Sequence, residues 1–271
     1  MRILLKISDT VVWSCGTDGD IRVWNIKDGN KQIKKAEWKP IAPTKAIYPS
    51  CMGLVTNDDN QETVWVGSGA EGRITCWSVD SYECGRTITG EYLLECSCIT
   101  QFRSFVWISS KGGNVSLFDA STRHHIGTFN AHQSRISSMI AANDTIWTAS
   151  NDITVWKMQT LSDLQNLGTK SVHGSKVTSL FAINDNLFSI SFDGAILMWS
   201  IVVSFFIFLF AQFLHLTYLN HIFQAQTVVK EVADTKERPV GDLCLFKDYL
   251  WCFFENSVKL YPLAALCDYK Q

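Results

Sequence analysis

Apolar residues recur along this chain in short runs that come in pairs, each pair wrapped around a polar or glycine-bearing turn. Six such units stand out: VVWSCGTDGDIRVWN, TVWVGSGAEGRITCWS, FVWISSKGGNVSLFDA, TIWTASNDITVWKM, LFSISFDGAILMWS and YLWCFFENSVKLYPL. The first run of each carries an aromatic, at Trp13, Trp65, Trp107, Trp147, Phe188 and Trp251. The second run ends in another, at Trp24, Trp77, Phe118, Trp156, Trp199 and Tyr261. Within a unit the two aromatics lie 9 to 12 residues apart, the length of two short strands and a tight turn, so each unit predicts a β-hairpin.

Successive closing aromatics are separated by 53, 41, 38, 43 and 62 residues. Three of these spacings fall near the period of about 40–45 residues at which a four-stranded propeller blade repeats, and that period selects the architecture. The segments between hairpins supply two more strands per repeat: RISSMIAA and KVTSLFAI predict first strands, and HHIGTFN a fourth strand. The apolar runs are nearly continuous rather than alternating, as expected of sheets packed on both faces. A single blade would leave both faces wet, so the repeats must stack to be stable. The predicted fold class is all-β, a propeller of six recognisable blades, read also as an incomplete seven-blade ring.

The units resemble WD40 repeats over nearly the whole chain, with the closing dipeptide softened to WN, WS, FD, WK, WS and YP. The resemblance implies a hydrogen-bonded tetrad in each blade: a His before the first strand, a Ser or Thr on the second, an Asp in the next turn and the closing Trp. Unit five matches best, with His173, Ser189 or Ser191, Asp193 and Trp199. Unit one keeps Ser14, Asp18 and Trp24, and unit four has His132, Ser150 and Trp156 with a shorter turn. Units two, three and six place Glu71, Gly112 and Glu255 where the Asp would stand. The repeated VW or IW opening also resembles divergent propellers attached to Rho guanine-nucleotide exchange factors and inositol polyphosphate 5-phosphatases.

Two stretches break the period. Residues 27–50 hold six lysines and three of the five prolines and predict a surface connection between blades one and two, or a docking segment for an acidic partner. The segment IVVSFFIFLFAQFLHLTYLNHIF, residues 201–223, contains no charge and is long enough for a bilayer-spanning helix. Spanning would strand blade six across the membrane from the rest, with sheet faces uncovered on both sides. A translated intron explains the segment better. Valine codons begin GT and glutamine codons can end AG, and removing 202–224 keeps the frame and shortens the last spacing from 62 to 39 residues. Domain organisation follows as blades one to five over 1–200, an apolar insert at 201–224 and blade six at 225–271. The sixth unit lacks an obvious fourth strand, which suggests a further blade.

Composition adds exclusions. With 24 Lys+Arg against 26 Asp+Glu the net charge is −2, which gives no reason to expect nucleic acid as a partner. Nine scattered cysteines without a CxxC pair read as reduced thiols, and the N-terminal apolar run is too short for a secretion signal, so a cytoplasmic or nuclear location is expected. No GxSxG, GxxxxGK[ST], HExxH or kinase signature set occurs, and no catalytic residue, metal ligand or cofactor is predicted. What remains is a binding surface: His132, Arg135, His173, Lys176 and Arg238 enter the first strands of units four to six. They would suit an acidic or phosphorylated peptide or a phosphoinositide headgroup. The expected role is a non-catalytic protein-interaction scaffold, with a module of a larger signalling enzyme and a membrane-anchored protein held by 201–223 as alternatives.

Overall fold

The structure, a computed structural model, describes residues 3–16, 18–25, 27, 31–37, 48–68, 71–183, 186–200, 228–234, 244–246, 249–253 and 258–262. The fold is an all-β β-propeller. The first blade comprises β1 (Ile3–Lys6), β2 (Val11–Cys15), β3 (Asp20–Asn25) and β4 (Lys31–Glu37), paired antiparallel in chain order. The second comprises β5 (Pro49–Thr56), β6 (Glu62–Ser68), β7 (Arg73–Ser78) and β8 (Cys84–Thr89), and the third β9 (Ile99–Phe102), β10 (Phe105–Ser109), β11 (Asn114–Asp119) and β12 (His125–Asn130). The fourth contains β13 (Ser138–Ala142), β14 (Thr145–Ala149), β15 (Ile153–Lys157) and β16 (Gln165–Lys170), and the fifth β17 (Val177–Ile183), β18 (Asn186–Ser191), β19 (Ala195–Ser200) and β20 (Val228–Asp234). A sixth sheet has three described strands, β21 (Cys244–Phe246), β22 (Tyr249–Phe253) and β23 (Val258–Pro262). Five blades are thus four-stranded. The chain divides into two compact units, Met1–Ile136 with three blades and Ser137–Gln271 with the remainder.

The aromatic repeat has a packing explanation. Trp13, Trp65, Trp107, Trp147 and Trp199 are all essentially inaccessible. The opening aromatic of one blade packs against the closing aromatic of the next: Trp65 meets Phe118 edge-on at 6.0 Å, and Trp147 meets Trp199 at 5.8 Å. Trp13 and Trp77 share a core cluster in the same way. Each sheet is therefore incomplete without its neighbour, and the continuous apolar runs follow from burial on both faces.

A second, polar repeat runs along the seams. The first-strand regions carry a hydroxyl at one fixed register, Ser50, Ser97, Ser137 and Thr178. Ser50 Oγ donates to the carbonyl of Cys96 at 2.7 Å, Ser97 Oγ to that of Ile136 at 2.6 Å, and Ser137 Oγ to that of Val177 at 2.5 Å. Each acceptor is the residue just ahead of the next hydroxyl, so one pattern ties blade to blade within each unit. Thr178 donates to Ile190 of its own blade. Blades two and three gain a further tie, since the Gln101 amide both accepts from Thr56 N–H and donates to Thr56 C=O at 2.7 Å.

The lysine-rich stretch is not wholly a connecting loop. Residues 31–37 form β4, the edge strand of blade one, because β3 needs a partner for its second row of backbone groups. Gln32, Ile33 and Lys34 are exposed there, and charge on an edge discourages strand addition. In blades one to four the link from third to fourth strand is five to seven residues long, at 26–30, 79–83, 120–124 and 158–164; in blade five it is 201–227. The interior of this last link lies outside the described residues, and with it the expected apolar insert.

The opening Trp indoles divide by one neighbour. Trp65 Nε1 donates to Thr63 Oγ1 at 3.1 Å and Trp147 Nε1 to Thr145 Oγ1 at 3.0 Å. At the same place two residues earlier, Trp13 follows Val11 and Trp107 follows Phe105, and both buried indole N–H groups lack an acceptor. An unsatisfied buried donor costs about 1–3 kcal/mol. Thr63→Val is expected to destabilise by that amount, and Val11→Thr to stabilise by up to about 1 kcal/mol. Urea unfolding of the two variants checks this, and equal midpoints for both would refute it.

Candidate functional site

The hydroxyl on the second strand sets the polar network of each blade. In the fifth, Trp199 Nε1 donates to Ser189 Oγ at 2.8 Å, and Ser189 Oγ lies 2.7 Å from His173 Nε2. Ser191, the other candidate, instead donates to the Asp193 carboxylate, which also accepts from the Ala195 N–H at 3.2 Å. The structure thus joins His173, Ser189 and Trp199 in one chain, while Asp193 closes its own turn. Asp193 still lies close to the loop of His173: a Cβ on Gly174 would come within 3.1 Å of its Oδ2. His173 Nδ1 is buried without a hydrogen-bond partner.

In the first blade Ser14 Oγ accepts from Trp24 Nε1 at 2.8 Å. Asp18 does not join them. Its carboxylate pairs with Arg22 Nη2 at 2.5 Å, and this hydrogen bond holds Asp18 below the usual carboxylate range. Arg22 also reaches Asp20 at 2.6 Å. In the fourth blade Trp156 Nε1 donates to Thr148 at 2.9 Å rather than to Ser150. The register explains both choices, since Thr148 and Ser189 each follow the strand's opening aromatic by one residue and pair with the residue two before the closing Trp, Thr154 and Leu197. Ser150 and Ser191 stand two residues further along the strand. His132 is buried, at 4% exposure.

Where that hydroxyl is missing, the closing position adapts. The second blade has Val66 there, and Trp77 Nε1 turns to Thr75 of its own strand at 2.8 Å. The third has Ile108, and its closing aromatic is Phe118, which has no donor to satisfy. The residue after the closing aromatic caps the following turn. Asp119 Oδ1 accepts from Ser121 and Thr122 N–H at 3.1 and 2.6 Å, and Asn25 Oδ1 from Lys27 N–H at 2.9 Å. Glu71, at the Asp position of unit two, forms an ion pair with Arg73 at 2.9 Å, both side chains about nine-tenths buried.

Arg135 and Lys176 occupy the same place in the repeat, one residue before the fully buried Ile136 and Val177. The carbonyls of Ile136 and Val177 accept the seam hydroxyls, which fixes the backbone and leaves the two cationic side chains exposed. Each belongs to a different compact unit, and Arg238 lies outside the described residues. Sequence reasoning missed one neighbour of Lys176 and an exposed apolar residue earlier in the same loop. The Phe192 N–H donates to the Lys176 carbonyl at 2.8 Å, and Phe192 and Val172 are 45% and 46% exposed. The available signal was an aromatic inside the tight turn SFDG, between residues whose side chains are polar. Among the described residues no group of three His, Cys, Asp or Glu is arranged to hold a metal, and no helix is long and apolar enough to cross a membrane.

Comparison with known proteins agrees on the fold. No family model matches the chain. A probable serine/threonine-protein kinase, pats1 of Dictyostelium discoideum, is 26% identical over 196 residues, covering 57% of this chain and 6% of that protein. The chain therefore corresponds to a small part of this curated relative. Among solved structures, the computationally designed Ika8 protein superposes with a TM-score of 0.66 at 19% identity, covering 95% of this chain and 70% of that one. A chain of the mitotic checkpoint complex gives 0.67 at 15% identity, covering 96% and 76%.

Burial pushes the His173 imidazole below its ordinary value near 6.5, with the nearby Asp193 charge opposing. Folding thus favours neutral His173. Above 6.5 both states are neutral and its contribution is whole; as pH falls, the unfolded chain binds its proton first and stability is lost until the folded value is reached. His173→Gln is expected to flatten the loss of unfolding free energy below pH 6.5 relative to the parent chain. Parallel pH profiles for the two proteins would contradict this.

Proposed function

We propose that the chain is a WD40-type propeller that acts as a non-catalytic scaffold for protein assembly, and that its loops ahead of the first strands carry the partner site. One observation supports this most: the loops preceding β13 and β17 each carry an exposed cation, Arg135 on the first and Lys176 on the second. His173 is tied to Ser189, Asp18 to Arg22 and Asp193 to its turn. In the second unit Lys176, whose carbonyl is bonded by exposed Phe192, offers positive charge next to apolar surface, and in the first unit Arg135 offers positive charge at the equivalent place in the repeat. That combination suits an acidic or phosphorylated protein segment with an apolar side chain. His132 and His173 stand in the same two loops, the first buried and the second half-buried, and Arg238 holds the corresponding place in the sequence repeat. No nucleic acid, cofactor or metal enters this reading, and a cytoplasmic or nuclear site of action accords with it.

A second reading makes the propeller one module of a larger signalling protein. The match to a small fraction of a much longer probable kinase favours it. Under that reading catalysis resides outside these residues, whether in a kinase, a Rho guanine-nucleotide exchange factor or an inositol phosphatase.

The charge-reversed pair Arg135→Glu and Lys176→Glu is expected to lose the proteins that the tagged parent chain captures, at unchanged melting temperature. Unchanged capture would contradict the site. The apolar stretch 202–224 is proposed to be absent from the mature message, which leaves a four-residue link between β19 and β20, close to the five to seven of the other blades. A chain lacking 202–224 is then expected to fold with equal or greater stability, whereas unfolding on deletion would make the segment a genuine part of the protein.

A further inference from the structure

Three cysteines meet where the first strand of blade two borders blade three: Cys51 on β5, and Cys96 and Cys98 just ahead of β9. Cys51 is 4% exposed and Cys96 fully buried, while Cys98 is partly exposed. A Cβ on Gly67 would fall 2.6 Å from Cys51 Sγ and 2.7 Å from Cys96 Sγ. Both sulfurs thus crowd the one space that glycine leaves open, and their separation is bounded by the sum of those distances. Ser50 Oγ stands between them, 3.7 Å from Cys96 Sγ and 3.9 Å from Cys51 Sγ. The Cys96 thiol also donates to the Ser68 carbonyl at 3.1 Å, a bond that is given up when the thiol ionises.

The pair is chemically unequal. Cys96 is drawn towards its thiolate by the hydrogen bond from Cys51, against burial, with help from Ser50 and the Arg135 charge. The Cys51 thiol is pushed up by its Cys96 neighbour and by burial. Elsewhere in the same unit burial pushes the Cys76 thiol up to about 12, which leaves it a poor nucleophile. Cys84 is exposed.

We propose that Cys51 and Cys96 form a peroxide-sensitive dithiol that closes into a disulfide between blades two and three. The Cys96 thiolate attacks one oxygen of hydrogen peroxide; an S–O bond forms, the O–O bond breaks, and hydroxide leaves as water after taking the Cys51 proton. Cys51 sulfur then attacks the Cys96 sulfenic acid; the S–S bond forms, the S–O bond breaks, and the hydroxyl leaves as the second water with a proton from solvent, which replaces the one lost when Cys96 ionised. Two thiols are oxidised by two electrons and one peroxide is reduced to two waters. The bond would staple the seam that Ser50 already ties to the Cys96 carbonyl.

The test uses the full chain carrying Cys84→Ser, which removes the exposed thiol, treated with hydrogen peroxide in native buffer. Remaining thiols are alkylated and the protein is digested without reductant for mass spectrometry. The expected product is a peptide cross-linked through Cys51 to the segment holding Cys96 and Cys98, retained in Cys98→Ser and lost in Cys96→Ser. Circular dichroism of each variant confirms folding. Full alkylation of both Cys51 and Cys96 after peroxide has oxidised Cys84 in the parent chain, or a cross-link that Cys98→Ser removes, would overturn the proposal.

Discussion

A four-stranded sheet with two apolar faces has to be covered on both, and every other feature of this molecule follows from how that cover is supplied. The opening tryptophan of one blade reaches the closing aromatic of the next, as Trp65 does Phe118 and Trp147 does Trp199. Burying such rings is worth several kcal/mol each, since truncating a buried Phe or Trp to Ala costs about 3–5 kcal/mol. The cover is mutual, so no blade is a free-standing unit. The hydroxyls of Ser50, Ser97 and Ser137 add direction to this apolar contact, because each donates to a fixed carbonyl of the neighbouring blade.

The hydrogen-bond networks follow the same economy within a blade. A closing Trp brings a buried N–H, and the chain supplies an acceptor wherever it keeps the Trp: Ser14, Thr75, Thr148 and Ser189. Where Ile108 replaces the hydroxyl, Phe118 replaces the Trp. The loops ahead of the first strands are held by the seam contacts of Ile136 and Val177.

The hairpins, their aromatics and the propeller class were legible in the sequence because paired apolar runs around polar turns, recurring at a near-constant spacing, leave strong patterns. The tetrad was legible only to within a register step. Ser189 and Ser191 lie on the same strand face, and only the pairing of β18 with β19 shows which one meets Trp199. The fate of Asp18 depended on Arg22, four residues away, a partner that the repeat pattern does not include. Strand β4 was hidden because a solvent-facing edge strand rich in lysine reads like a loop. The seam hydroxyls of Ser97 and Ser137 were visible as letters in CSC and RISS, but their acceptors are backbone carbonyls some forty residues away, and backbone leaves no mark in a sequence pattern.

The dependence of one blade on the next is tested most directly by hydrogen exchange on Ser50→Ala, read separately over each sheet by mass spectrometry. The substitution removes the contact to the Cys96 carbonyl together with a longer one to Gly67 of its own blade, and is predicted to accelerate exchange both in the β5–β8 sheet, which carries it, and in the β9–β12 sheet, which does not. Faster exchange confined to the β5–β8 sheet would contradict the account, because the blades would then be stable independently of the seam between them.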